Sequence, residues 1–375
     1  MSVAVSSVTI GQKPSGELLV YFGTYTNGGS KGIYVSRMNL ETGALSAATL
    51  AAESANPAYL AVHPTRNLLY AVNEIDKYEG KASGSVSAFA IDRATAALKL
   101  LNRQPSAGAG PAHLVTDPSG RYVLVANYGG GSVAVLPIAD DGSLRQASDV
   151  EQHTGSSVNP ERQKEPHAHQ IILDPTGRFA YVPDLGIDKV MIYRFDGAKG
   201  TLAPAQYPFA PVQAGYGPRH IAFHPGGRFA YVINELSSMI SVFDRVEPHG
   251  GLANTMTITT LPSGQSPQAG YSTADVQVHP SGRFLYGSNR GHDSIAAYTI
   301  DQGTGRLTFV EAEPTQGQTP RAFGIDPSGT FLLAANQRSN SVVVFRIDQT
   351  TGALSAAGAK IEVGAPVCVK FVQRR

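Results

Sequence analysis

The sequence predicts an all-β fold, a seven-bladed β-propeller of four-stranded antiparallel blades, and three observations carry that prediction. One turn motif recurs six times along the chain. Forty Gly and twenty-four Pro among 375 residues, with sixteen Tyr and fourteen Phe, describe short strands joined by tight turns. The two ends of the chain each supply a part of the repeat that the other lacks, so strands from both termini close the ring.

The six copies are HPTRNLLYAVNE from His63, DPSGRYVLVANY from Asp117, DPTGRFAYVPDL from Asp174, HPGGRFAYVINE from His224, HPSGRFLYGSNR from His279 and DPSGTFLLAANQ from Asp326. Their starts lie 47 to 57 residues apart, and a repeat of this length is a propeller blade. Asp or His followed by Pro, a small residue and Gly forms a type I turn whose first side chain bonds back to the backbone. The apolar run before it, such as RHIAFH from Arg219, reads as strand A, and the run after it, such as RFAYVIN from Arg228, as strand B. A third run such as SVVVFRID from Ser341 and a fourth after a TGxLS-type turn complete the meander. Such a sheet cannot bury both faces alone, and stacking blades solves the problem. PVCVKFV from Pro366 is a strand A with no turn after it, while LLVYFGTY from Leu18 is a strand B with no A before it. Together they make blade 7, in one domain spanning residues 16–375 behind a loose tail of residues 1–15. A sandwich or double barrel does not explain a register kept through six repeats, and the absence of Trp excludes WD40 blades.

Thirty basic and twenty-nine acidic residues leave a net charge of +1. No global field draws nucleic acid or a membrane surface, so any anion site is local. The single cysteine, Cys368, excludes disulfides within the chain and fits a reducing, cytoplasmic setting. No apolar run approaches the roughly 20 residues of a spanning helix, and the first sixteen residues lack the features of an export signal.

Comparing equivalent positions across blades separates architecture from chemistry. Ten residues after each turn start stand Asn73, Asn127, Asp184, Asn234, Asn289 and Asn336, with Thr24 in the split blade. That uniformity reads as strand-end capping. One residue later the series varies: Glu74, Tyr128, Leu185, Glu235, Arg290, Gln337 and Tyr25. Five residues before the turn it runs Ala58, Ala112, His169, Arg219, Ala274, Arg321 and Val367. Joining the two series places His169, Arg219, Glu235, Arg290 and Arg321 on consecutive blades at one mouth of the channel, with Glu74 as a further substrate contact. The loop Gln152–Pro166, QHTGSSVNPERQKEP, overhangs the same mouth and offers His153, Ser157, Asn159, Arg162 and Gln163. His113 and His220, one residue further along strand A, turn away by alternation and pack between blades. His63, His224 and His279 sit in turns at the opposite face. The segment GGSKG from Gly28 matches the G-x-S-x-G of serine hydrolases, but it lies between two strands of a meander and lacks the strand-to-helix elbow that motif needs. No zinc spacing, P-loop or dinucleotide fingerprint is present, so neither metal nor cofactor is expected.

The stretches FGTYTNGGSKGIY from Phe22, HTGSSVNPERQKEPHAH from His153, GPRHIAFHPGGRFAYVINEL from Gly217, VHPSGRFLYGSNRGHDSIA from Val278 and PRAFGIDPSGTFLLAANQ from Pro320 resemble the seven-bladed propeller lactonase family. That family comprises bacterial 6-phosphogluconolactonases and the related fungal carboxymuconate cyclases, and the likeness runs from Leu18 to Val372. The resemblance implies a metal-free lactonase with a site made of His169, Arg219, Glu235 and Arg290. Opening a lactone takes an activated water and stabilisation of an oxyanion, for which Glu235 or His169 is the expected base and acid. Arg219 and Arg290 then divide between the carbonyl oxygen and an anionic tail. The expected partner is a small anionic lactone, foremost 6-phosphogluconolactone of the pentose phosphate pathway, acted on by a monomer or weak homo-oligomer. A carboxy-cis,cis-muconate cyclase and a propeller that only binds a small molecule are the two alternatives.

Overall fold

The computed structural model describes residues 16–373, so the proposed tail of residues 1–15 lies outside the described residues. Twenty-eight strands form seven four-stranded antiparallel sheets, and no helix occurs among the described residues. Blades 1 to 6 each use four consecutive strands. In blade 4 these are Pro218–Phe223, Phe229–Asn234, Met239–Val246 and Gly251–Thr259, strands A to D. Blade 7 takes its strand A, Pro366–Gln373, from the end of the chain and pairs it with Glu17–Thr24, in the register Leu19↔Val372 and Gly23↔Cys368. The first and last described strands thereby share one sheet.

Burial grades outward from the channel. Strand B of blade 4 is buried at every residue, whereas its strand D is mostly exposed or half-buried. The reason is the stacking: both faces of a blade meet a neighbour, as Tyr231, Ile233 and Val242 of blade 4 meet Val276, Leu285 and Ala296 of blade 5. Strand B therefore reads as a continuous apolar run and not as an alternation.

Directional bonds fix the angle between blades. Strand B tyrosines donate to the C–D turn of the next blade: Tyr70 to the Gly142 carbonyl, Tyr181 to Gly250, Tyr231 to Gly305 and Tyr286 to Gly352. On the face away from the site, the turn histidines reach the A–B turn of the next blade, with Nε2 of His63, His224 and His279 on the carbonyls of Gly120, Gly282 and Gly329. Gly329 has φ +73°, and a Cβ there would stand 2.3 Å from His279 Nε2, so only glycine fits. At the other face the strand-end amides reach back to the preceding blade, Asn127 Nδ2 to the Ser106 carbonyl and Asn289 Nδ2 to Thr260.

Replacing Tyr231 by Phe leaves the buried Gly305 carbonyl without this donor. Chemical denaturation should report a loss of about 1 kcal/mol with an unchanged denaturant slope.

Candidate active site

The entrance to strand A carries a β-bulge. Pro218 pairs with Asn234 and His220 with Ile233, so Arg219 has no partner across the strand; Arg321 and Ala112 are skipped in the same way. A bulge breaks the two-residue alternation. Consecutive side chains Arg219 and His220 consequently line one narrow neck in the channel, with Tyr59, Glu74, His169 and Arg321. The reading of His220 as turned away from the channel is corrected here, because the bulge is not visible in an apolar pattern. His113 packs between blades as expected, its ring 4.0 Å from Tyr59 of the neighbouring blade and 5.8 Å from His220.

Above the neck opens the mouth, a cavity of ≈ 370 Å³ lined by Tyr25, Glu74, Ala112, Tyr128, Arg162, His169, Glu235, Arg290 and Arg321. The neck itself is a chamber of ≈ 10 Å³, room for about one water molecule. Glu74, Ala112, His169 and Arg321 border both. Below the neck the channel widens to ≈ 290 Å³ around Tyr59, Gln170, Asp275, Gln277 and Lys370. A larger hollow of ≈ 950 Å³ lies on the outer edge between blades 3 and 4, but its Arg178 and Lys199 are exposed surface groups.

Glu235 is the hub of the mouth. Its Oε2 accepts from Arg219 Nε at 2.8 Å and lies 3.1 Å from Arg290 Nη2, and its Oε1 accepts from Arg162 Nη2 at 2.8 Å. Burial opposes its charge, yet the three guanidinium groups outweigh burial and hold the carboxyl well below the usual carboxylate range. Such a carboxylate is a poor base. Arg219 is 2 % exposed and fully bonded on one edge, its Nη1 donating to the Ala274 carbonyl and to His220 Nε2. His220 gives its Nδ1 hydrogen to Asp275 at 2.8 Å, and burial beside Arg219 pushes it down to about 4. It stays neutral and fixes Arg219. His169 is buried, with Nδ1 unpartnered, and burial together with Arg219, His220 and Arg321 holds it well below the ordinary imidazole range. Arg321 makes no ion pair or hydrogen bond among the described residues; its guanidinium lies 5.2 Å over the Tyr25 ring.

The long loop reaches the mouth through one residue. Asn159 Oδ1 caps the backbone of Glu161 and Arg162, and Gln163 ties the loop to itself and to the Leu185 carbonyl. These two are braces that present Arg162, which also donates to Tyr128 Oη at 3.1 Å. Ser157 bonds Asp188. His153 is enclosed, its Nδ1 2.6 Å from Asp184 Oδ2. Blade 3 has a carboxylate where its neighbours have an amide, and His153 is the donor that carboxylate takes. Among the expected site residues the structure brings together His169, Arg219, Glu235, Arg290, Arg321, Arg162 and Glu74, and it places Asn159, Gln163 and His153 within the loop. Tyr25 and Tyr128 stood in the varying series without being singled out; Tyr59, His220 and Asp275 lay behind the bulge. Among the described residues no His, Cys, Asp and Glu side chains gather as a metal cradle.

A ring of seven four-stranded blades with an arginine-rich mouth defines a propeller with a locally cationic cavity at one end of its channel. The chain belongs to the seven-bladed β-propeller lactonase family, whose model matches residues 19–371. The 6-phosphogluconolactonase of Bacillus subtilis is 38 % identical over 94 % of this chain and 98 % of its own. That of Formosa agariphila is 32 % identical over 78 % and 81 %. In fold, the periplasmic gluconolactonase of Pseudomonas aeruginosa superposes with a TM-score of 0.89, at 34 % identity, over 96 % of this chain and all of that one.

Replacing Glu235 by Gln strands a buried guanidinium, so unfolding at pH 7 should cost about 3 kcal/mol less than in the wild type. The folded carboxyl is held low, so its contribution is complete above the unfolded value of about 4.3 and fades as pH falls below it. Urea titrations at pH 7 and pH 3 should show the gap between the two proteins narrowing in acid; a gap that widens would contradict the ion cluster.

Proposed function

We propose that this protein hydrolyses 6-phospho-D-glucono-1,5-lactone to 6-phosphogluconate, as the oxidative pentose phosphate pathway requires, in the cytoplasm. The observation that carries this reading is the charge of the mouth and its arrangement by depth. Four guanidinium groups, of Arg162, Arg219, Arg290 and Arg321, face two carboxylates, of Glu74 and Glu235. The excess suits a phosphomonoester, which carries about −1.5 to −2 at neutral pH. Arg162 and Arg290 border the mouth only, while Arg219 lines the neck and Arg321 both. A substrate with its phosphate outward and its lactone inward meets a cation at each end. Tyr25 and Tyr128 in the same lining offer hydrogen bonds to sugar hydroxyls.

At the deep end Arg219 and Arg321 receive the carbonyl oxygen as it gains charge, the role of an oxyanion hole. His169 is the neutral donor beside them: an imidazole held in its uncharged form polarises a carbonyl without surrendering its proton. Glu235 keeps the arginines aligned, with Arg219 and Arg290 on one oxygen and Arg162 on the other. The likeness to 6-phosphogluconolactonases over nearly the whole chain supports the same substrate.

Lactone generated in situ from glucose 6-phosphate should disappear faster with the protein present than in buffer, and no acceleration would contradict the reading. Arg162→Ala should raise KM for the phosphorylated lactone about tenfold or more, in line with a lost charge-assisted contact. It should leave KM for unphosphorylated gluconolactone unchanged.

A further inference from the structure

Lactone opening needs a base for the attacking water, and of the two carboxylates at the mouth one is unsuited to that work. Glu235 spends both oxygens on guanidinium groups. Glu74 differs in each respect. It stands directly after strand B of blade 1, across the channel from Glu235, and forms no ion pair within 4 Å among the described residues. Its one side-chain partner is the Tyr25 hydroxyl, which donates to Oε2 at 2.9 Å. Oε1 is left for another donor. Glu74 also borders both the mouth, where the lactone lies, and the water-sized neck beneath it, as does His169.

We propose that Glu74 is the general base of the reaction, taking a proton from a water held in the neck between Glu74, His169 and Arg219. The assignment rests on the lactone-hydrolysis reading and goes beyond it. As the water oxygen bonds to the carbonyl carbon, one of its protons passes to Glu74 Oε1, and the carbonyl electron pair moves onto the oxygen facing Arg219 and Arg321. When the tetrahedral intermediate collapses, the bond from carbon to the ring oxygen breaks and the ring oxygen recovers that proton from Glu74. The acid formed loses its own proton to solvent, and Glu74 ends as it began. The surroundings favour this role. Burial raises the proton affinity of Glu74, against the smaller opposing effects of Arg321 on blade 6, the Tyr25 hydroxyl on blade 7 and Arg219 on blade 4, while Asp76 on its own loop adds to the rise. Burial acts on His169 in the opposite sense, and together with the same arginines it lowers the proton affinity of the imidazole. Two carboxylates whose environments push them apart divide the work, one holding charge and the other moving protons. Tyr25 acts through Glu74 as a positioning residue.

The test is the pH profile of 6-phosphogluconolactone hydrolysis in the full-length wild type, Glu74→Gln and Tyr25→Phe. In the wild type kcat/KM should fall in acid as Glu74 takes up its proton. Glu74→Gln should lower kcat by about 10²- to 10⁴-fold, with KM within a few-fold, and abolish that acidic limb. Tyr25→Phe removes the bond that favours the ionised carboxyl, so its limb should move to higher pH. If Glu74→Gln does not fold by thermal melting, Glu74→Asp replaces it, with kcat reduced and the acidic limb displaced. An active wild type whose Glu74→Gln variant keeps kcat and the limb, or whose Tyr25→Phe limb stays in place, overturns the role of Glu74 alone. A wild type that does not accelerate hydrolysis overturns the lactone reading and this role with it.

Discussion

Glu235 and the three guanidinium groups around it form the joint on which the mouth of this propeller depends. Arg219 comes from the same blade, Arg290 from the next and Arg162 from a loop between blades 2 and 3. Four positively charged side chains crowded around one channel would repel one another and drive the loop outward. One buried carboxylate with contacts on both oxygens prevents that and sets where each arginine points. The arrangement is costly in isolation, since buried charges give up water. It is held because the blades beneath it are rigid, with strand B buried and blades 4, 5 and 6 bonded in series through tyrosine and histidine side chains.

That rigidity explains why a modest cavity can separate tasks by depth. The rim holds Arg162 and Arg290 engaged with Glu235, while the floor holds Arg219, Arg321, which has no ion-pair partner among the described residues, and His169, which stays uncharged. Glu74 lies on the opposite wall with one neutral hydrogen-bond partner. Chemistry that needs a fixed anion, a polarising donor and a mobile proton thus finds the three on different blades, each tuned by its own neighbours.

Much of this was legible from the repeat. A register kept through six copies sets equivalent positions side by side, and the positions that break the pattern are the ones that line the mouth and neck: His169 ahead of strand A, Arg219 and Arg321 at the bulge, and Glu74, Glu235 and Arg290 at or just past the end of strand B. What the comparison could not supply was the bulge itself. It turns Arg219 and His220 to the same neck, whereas simple alternation sends them to opposite sides. The loop was legible only in part, because its length marks it as overhanging but does not say which residues brace it. His153 had a readable clue: Asp184 is the one carboxylate in a series of amides, and a buried carboxylate requires a donor. The roles of Glu235 and Glu74 were beyond the sequence, since both are glutamates directly after a strand-end residue and only their neighbours distinguish them.

The most direct measurement is the structure of the protein with 6-phosphogluconate, the stable product. The phosphate should lie between Arg162 and Arg290, and the carboxylate against Arg219 and His169 with one oxygen within hydrogen-bond reach of Glu74. A product bound in the reverse direction, or outside the mouth, would contradict the account.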